Sequence, residues 1–186
     1  MEKQPTREEA FALLCEYNQQ VSLIRHGLAV ESVMCHFAGK SGEDTEKWRV
    51  IGLCHDLDYE KYPEQHCTMT RQILEEHNWP ESYIRAIVSH GWGLCSDVEP
   101  MEYLEKVLFA TDELTGLITA GALIRPEKKL AAVEASSIRK RFKEKSFAAG
   151  ANREQIASCS TIGLTLEEFI VLGLEAMKGI SGDLGL

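Results

Sequence analysis

Val50-Ile51-Gly52-Leu53-Cys54-His55-Asp56-Leu57-Asp58-Tyr59-Glu60 sets an imidazole beside a carboxylate directly behind an apolar run. Asp58 and Glu60 add two more carboxylates within four residues. A buried segment that ends in nitrogen and oxygen donors suits a divalent metal, which accepts that mixture. The rest of the chain must then supply the helices that carry the segment and the side chains that complete the site.

The flanking sequence reads as helix. Thr6-Arg7-Glu8-Glu9 fits a capping box, after which Phe11, Leu14 and Cys15 offer an apolar face and the helix ends near Asn18. Val21, Ile24, Leu28, Val33 and Phe37 recur close to helical period until Gly39 to Gly42 breaks the pattern. A third helix is expected from Glu43 to Leu57, then a loop over residues 58–65 containing Pro63. Shorter helices follow from His66 to His77 and from Pro80, in the first turn, to His90, with Gly91 and Gly93 ending the second. Met101, Leu104, Val107, Leu108, Thr111, Leu114, Leu117 and Ile118 form the longest amphipathic run, halted by Pro126. Residues 126–135 and 136–147 read as two shorter helices, and Thr165-Leu166-Glu167-Glu168 caps a last one running to about Met177. No stretch alternates as a strand does, so the expected fold is all-α, a bundle of about eight helices.

Composition frames the rest. At 186 residues, with 44% hydrophobic and 26% charged residues, the chain is expected to form one domain, 1–186, with a core of its own. A net charge of −9 disfavours nucleic acid and anionic membranes as partners. The polar start Met1 to Glu8 lacks a leader's apolar core, and the most apolar uncharged run, Leu114 to Ile124, is short against the ~20 residues of a membrane span. A soluble, cytoplasmic protein is expected. Six scattered cysteines without a CxxC pair read as reduced residues, not a disulfide framework.

Six residues are candidate metal ligands: His26, His55, Asp56, His66, His90 and Asp112. Asp112 follows Leu108 and Phe109 by one turn and leans to the core side, where a carboxylate needs a partner or a cation. Each one alone has an ordinary reading as a satisfied polar residue, as His36 and His77 do; the set in order carries more. His26 … His55-Asp56 … Asp112 resembles the H…HD…D signature of the HD superfamily of metal-dependent phosphohydrolases. Ile24-Arg25-His26-Gly27-Leu28-Ala29-Val30 is similar to its first ligand helix, Ile51 to Leu57 to its GLLHDI segment, and Thr111-Asp112-Glu113-Leu114 to its last aspartate. His66, opening His66-Cys67-Thr68-Met69, and His90, in Ile87-Val88-Ser89-His90-Gly91, resemble the two further histidines of the HDIG-type branch. The resemblance covers about residues 20–125, the metal-binding core.

That resemblance implies an HD-type helical bundle with one divalent ion on His26, His55, Asp56 and Asp112. If His66 and His90 join, Asp56 can bridge to a second. Iron, manganese, cobalt and zinc suit these donors, magnesium preferring oxygen, and the pattern does not choose among them. The implied activity is a phosphohydrolase in which metal-activated hydroxide attacks a small phosphorylated molecule, possibly a nucleotide. Asp58 and Glu60 are candidate proton-handling residues; they read equally as a solvated pair with Lys61. Where some members carry a catalytic glutamate, three residues past the aspartate, this chain has Tyr59.

Residues 125–153 hold nine Lys or Arg against three acids, a local +6 against −15 for the remainder. Lys140, Lys143 and Arg153 of this basic extension (126–186) are candidates for binding a phosphate, with a solvated helix face as the alternative. Asp112 to Ala120 followed by this tail resembles a bacterial and archaeal branch of predicted HD hydrolases with no assigned substrate. Two other functions fit the same residues: a non-catalytic metal- or nucleotide-binding sensor, and a di-iron oxygenase. A homodimer stays open.

Overall fold

The computed structural model describes residues 4–186, so the first three residues of the polar start lie outside it. The described residues form ten α-helices and four short 3-10 turns, with no strand, an all-α architecture. Among them no single helix is long and apolar enough to cross a membrane.

Helix α1, Arg7–Tyr17, starts on the capping box: Thr6 Oγ1 accepts from Glu9 N, and Glu9 Oε2 accepts from Thr6 N. It buries Ala10, Leu13 and Leu14, so its inner face is turned from the Phe11, Leu14, Cys15 face expected. Asn18 closes the helix, and its buried amide donates to the Leu57 carbonyl at 2.8 Å. That bond ties α1 to the central ligand stretch. Helix α2, Val21–Ser41, runs through Gly39 and stops only at Gly42, whose φ of 72° needs a residue tolerant of the left-handed region.

Helix α3, Thr45–Leu53, is capped by Asp44, which accepts from Glu46 N and Lys47 N. It ends four residues before the expected Leu57 and gives way to a series of turns. In a continuous helix neighbouring side chains diverge by about 100°. Unwinding after Leu53 lets His55 and Asp56, adjacent in sequence, face one centre. Gly52 makes the approach of α3 to α2 possible, since a Cβ there would lie 2.9 Å from Met34 Cγ and 3.2 Å from Glu31 Cα.

Helices α4 (Thr68–Glu76) and α5 (Glu81–Val88) follow, with Pro80 at the N-cap of α5 and a 3-10 turn, Ser89–Gly91, extending it. His66 precedes α4 because Cys67, at φ 67°, interrupts the backbone there. Helix α6, Tyr103–Leu123, is the central pillar and packs against α2, α8 and α9. Residues 126–134 form turns and irregular chain with a short 3-10 segment at Leu130–Ala132, not the helix expected over 126–135. Helices α7 (Ala135–Lys143), α8 (Arg153–Ala157), α9 (Leu166–Gly179, capped by Thr165) and α10 (Ser181–Leu184) complete the chain. Leu14, Val33, Leu53, Ile87, Leu114, Ile138 and Phe169, drawn from seven helices and flanking turns, sit in one contiguous apolar core.

Candidate metal centre

Five segments bring the six candidate ligands together. His26 comes from α2, His55 and Asp56 from the turns after α3, His66 from the turn before α4, His90 from the turn after α5, and Asp112 from α6. The side chains fall into two groups sharing Asp56. In the first, His26 Nε2 lies 3.0 Å from Asp112 Oδ1 and from His55 Nε2, and 3.5 Å from Asp56 Oδ2. His55 Nε2 lies 3.4 Å from Asp112 Oδ1 and 3.5 Å from Asp56 Oδ2. In the second, Asp56 Oδ1 lies 3.3 Å from both His66 Nε2 and His90 Nε2, which are 3.1 Å apart.

These separations carry chemical meaning. Donors bound to one ion at about 2.1 Å lie about 3.0 Å apart at right angles and about 3.4 Å apart at tetrahedral angles. The observed separations, 3.0–3.5 Å, span those two values. The residues are close enough to hold a metal ion.

The backs of the four rings make the stronger case. His55 Nδ1 donates to the Gly52 carbonyl at 2.8 Å, and His90 Nδ1 to the Ile87 carbonyl at 2.6 Å. His66 Nδ1 donates to Asp58 Oδ1 at 2.6 Å. Thr115 spends its hydroxyl proton on the Asp112 carbonyl, so its oxygen is the acceptor for His26 Nδ1 at 3.3 Å. With Nδ1 as the donor on each outer side, every ring in its neutral form turns an Nε2 lone pair inward. Four lone pairs and two carboxylates converging in a mostly buried space repel one another unless a cation sits among them.

In the metal-free chain, protons are the available cations, and the titration directions follow. Burial disfavours charge on His55, but the Asp56 charge and the Asp112 contact outweigh it and raise its pKa. Burial likewise opposes His66, yet Asp56 and Asp58 push it up to about 10. His90, facing Asp56, is raised against its burial too. Burial would raise Asp56 and Asp112, but the surrounding histidines hold Asp56 well below the usual carboxylate range and lower Asp112 as well.

The centre opens into a cavity of about 500 Å³. His26, Asp56, His66, His90 and Asp112 line its floor, and Tyr59, Leu94, Cys95, Glu113, Gly116, Ala148, Ala151 and Gln155 contribute walls. Among the described residues no Lys or Arg lines it. A second cavity of equal volume, beside α1 and lined by Pro5, Glu9, Leu13, His77 and Trp79, brings together none of the six ligands. His36 lies apart from the centre, 3.8 Å from Glu175.

The remaining site residues read from sequence are placed elsewhere. Asp58 is buried behind His66, accepting from its Nδ1 and from Thr70 N at 2.8 Å; it orients the His66 ring and does not line the cavity. Glu60 turns away altogether: its Oε2 accepts from the N–H groups of Gln19 and Gln20 at 2.7 and 2.9 Å, at the positive end of α2. It is a helix-capping residue here, not a group at the centre. Arg153 is also spent. Its guanidinium donates to the carbonyls of Arg141, Phe142, Glu144, Phe147, Ala148 and Ala151, pinning the loop that forms one cavity wall. Lys140 and Lys143 are exposed on α7 and do not line the cavity.

Sequence reasoning passed over Thr115 and Glu113. Thr115 lies one turn beyond Asp112, a spacing that puts both on one helix face. Glu113 is the one cavity carboxylate among the described residues outside both ligand groups; its Oε2 accepts from Asn152 N at 2.9 Å. Burial first, then the neighbouring Asp112 charge, raises its pKa. Cys67 and Cys95 form a third cluster with His66, their sulfurs 3.2 Å apart. Both nitrogens of His66 already face Asp58 and Asp56, so this cluster offers two thiols and no free imidazole. The Cys95 thiol is lowered to about 6 by the hydrogen bond with Cys67, with burial opposing.

Comparison with known proteins adds no assignment: no family model, no curated protein and no solved structure matches this chain.

Proposed function

We propose that the protein is a divalent-metal-dependent hydrolase of small phosphorylated molecules, with two ions bound side by side. The observation that supports this reading best is the inward convergence of four Nε2 lone pairs on the two oxygens of Asp56. His26, His55, Asp56 and Asp112 would hold the first ion, and Asp56, His66 and His90 the second. Paired ions supply Lewis acidity and an activated water to phosphoryl chemistry. The ordered ligand set is also what resembles the HD superfamily.

The chain's own groups divide the remaining work. Asp58, Thr115 and the Gly52 and Ile87 carbonyls keep the four rings in one tautomer and orientation, which raises ligand basicity and prevents rotation. Glu113 holds or moves a proton at the cavity wall, the role sequence reading assigned to Asp58 or Glu60. Tyr59, whose ring lies edge-on to His66 at 5.1 Å, and Leu94 border the opening and bound the substrate's organic part. With no Lys or Arg on the walls among the described residues, the metal positions are left to neutralise the phosphate. That suits a single phosphate group better than a polyphosphate chain.

The experiment is metal analysis of the purified chain together with a screen of phosphomonoesters, nucleotides and cyclic dinucleotides. Two ions per chain and metal-dependent release of phosphate from a monoester are expected. Metal-loaded protein that turns over none of these, while a ligand still shifts its melting temperature, would favour a sensor. Convergence of His66 and His90 on Asp56 also keeps a di-iron oxygenase in view. Oxygen uptake by the iron-loaded protein with an organic substrate would select it over hydrolysis.

A further inference from the structure

Of the six cysteines, Cys67 and Cys95 are the pair in thiol–thiol contact among the described residues, at 3.2 Å and 28 positions apart in sequence. Local backbone geometry sets up this contact. Cys67 adopts φ 67°, a conformation uncommon for any residue but glycine. The loop after α5 curls back on itself, with Leu94, Cys95 and Ser96 all donating their N–H groups to the Gly91 carbonyl. Both sulfurs then occupy the space over Gly91: a Cβ there would come within 2.4 Å of Cys95 Sγ and 2.5 Å of Cys67 Sγ. Cys67 is almost wholly buried, whereas Cys95 is half-buried and lines the cavity. An oxidant can therefore reach one sulfur while the other waits beside it.

We propose that Cys67 and Cys95 are a redox-modification site, in which a hydroperoxide converts the two thiols to a disulfide that dislodges the metal ion held by His66 and His90. The Cys95 sulfur attacks the terminal peroxide oxygen; the O–O bond breaks, an alcohol (or water, from hydrogen peroxide) leaves, and a sulfenic acid remains. The Cys67 sulfur attacks that sulfur, the S–O bond breaks, and the hydroxyl departs with the Cys67 proton as water. Two thiols and one hydroperoxide give one disulfide, one alcohol and one water.

Chain connectivity transmits the change. Cys67 directly follows His66, and Gly91, which anchors the Cys95 loop, directly follows His90. Bond formation shortens the sulfur separation from 3.2 Å to about 2.05 Å. Metal–ligand distances tolerate only about 0.2 Å, so a shift of that size at His66 or His90 opens the second position. The effect on metal rests on the dinuclear reading above; the disulfide does not.

The full chain, reduced and loaded with manganese, is treated with one equivalent of hydrogen peroxide and digested without reductant. Free thiols should fall from six to four, and tryptic peptides 62–71 and 86–106 should appear joined, about 2 Da below their sum. Bound manganese should halve, and dithiothreitol should restore both thiols and metal uptake. Cys95→Ser should keep its manganese, give no joined peptide and ignore peroxide; Cys67→Ser serves if that variant misfolds. Loss of other cysteines without the joined peptide overturns the proposal, and so does the joined peptide with manganese unchanged. Reduced protein that takes up no manganese counts against the dinuclear reading and removes the metal effect with it, while the joined peptide still decides the disulfide.

Discussion

The His/Asp cluster and the basic segment 125–153 both concentrate ionisable groups, yet the fold spends them in opposite ways. In the cluster each ring's Nδ1–H is taken up on its outer side, so the Nε2 atoms face one another and the carboxylates of Asp56 and Asp112, an arrangement that calls for a cation, proton or metal, among them. In the basic segment, Arg153 is consumed by six carbonyls, Arg139 pairs with Glu167 at 2.8 Å, and Lys140 and Lys143 end in solvent. Local charge density is thus a poor guide to a site. What distinguishes one is a mostly buried set of donor atoms turned toward one another, whose mutual repulsion costs free energy until a cation sits among them.

Replacing the shared ligand should break that contrast hardest. Asp56→Ala removes an oxygen from both groups and should abolish metal binding and phosphate release together; a variant retaining two ions per chain would refute the bridging role. Asp58→Asn keeps the shape but weakens the hold on His66 Nδ1, and should lower metal affinity about 10–100-fold, measured by competition with a chelator. Unchanged affinity would reduce Asp58 to a structural residue.

Arg153→Ala should act through stability. Losing its carbonyl contacts should cost about 2 kcal/mol, or about 4–8 °C in melting temperature for a domain of this size. Because those contacts hold a cavity wall, KM should rise more than kcat falls. A fall in kcat alone, with KM and melting temperature unchanged, would return Arg153 to the reaction.

pH sharpens the comparison through the titration of the cluster. The raised histidines stabilise the metal-free chain fully below their ordinary value of 6.5, and this is lost as pH climbs toward about 10 for His66. The lowered Asp56 and Asp112 contribute above 3.8 and lose that contribution as pH falls. Protons and metal compete for the same nitrogens, so the melting-temperature gap between metal-loaded and chelated protein should widen from pH 6 to pH 9. A gap independent of pH would place the metal elsewhere. The smallest effect belongs to Lys140→Ala and Lys143→Ala: stability within about 0.5 kcal/mol of wild type, and kcat/KM within twofold, by the same phosphate assay. A tenfold loss would revive the phosphate clamp.

Helices and caps are the features most legible in the amino-acid sequence. Periodicity from Met101 to Ile118 marks α6, and the Thr6 and Thr165 capping boxes form as their spacing suggests, since these patterns depend on residues within one or two turns. The helix expected over residues 126–135 does not form because so short a segment carries little pattern of its own, and packing chooses turns there. Glu60 fails as a site residue for a related reason. Adjacency to Asp56 says nothing about which way its side chain will go, and the exposed N–H groups of Gln19 and Gln20 claim it.

By itself the sequence determined an all-α chain and offered six candidate nitrogen and oxygen donors, because helix periodicity and donor chemistry are properties of short stretches. Only the tertiary structure decided that α3 unwinds so that His55 and Asp56 share one centre, and that Asp58 lies behind His66 while Arg153 binds its own loop. It alone brought Cys67 onto Cys95. The Arg153 contacts stay within 12 residues, but those of His66 with Asp58, Cys67 with Cys95 and Thr115 with His26 join residues 8 to 89 apart, set by how helices pack around Gly52 and Gly91. The stretch from Val50 to Glu60 supplies donor atoms, and the packing around it selects which of its carboxylates join the cluster.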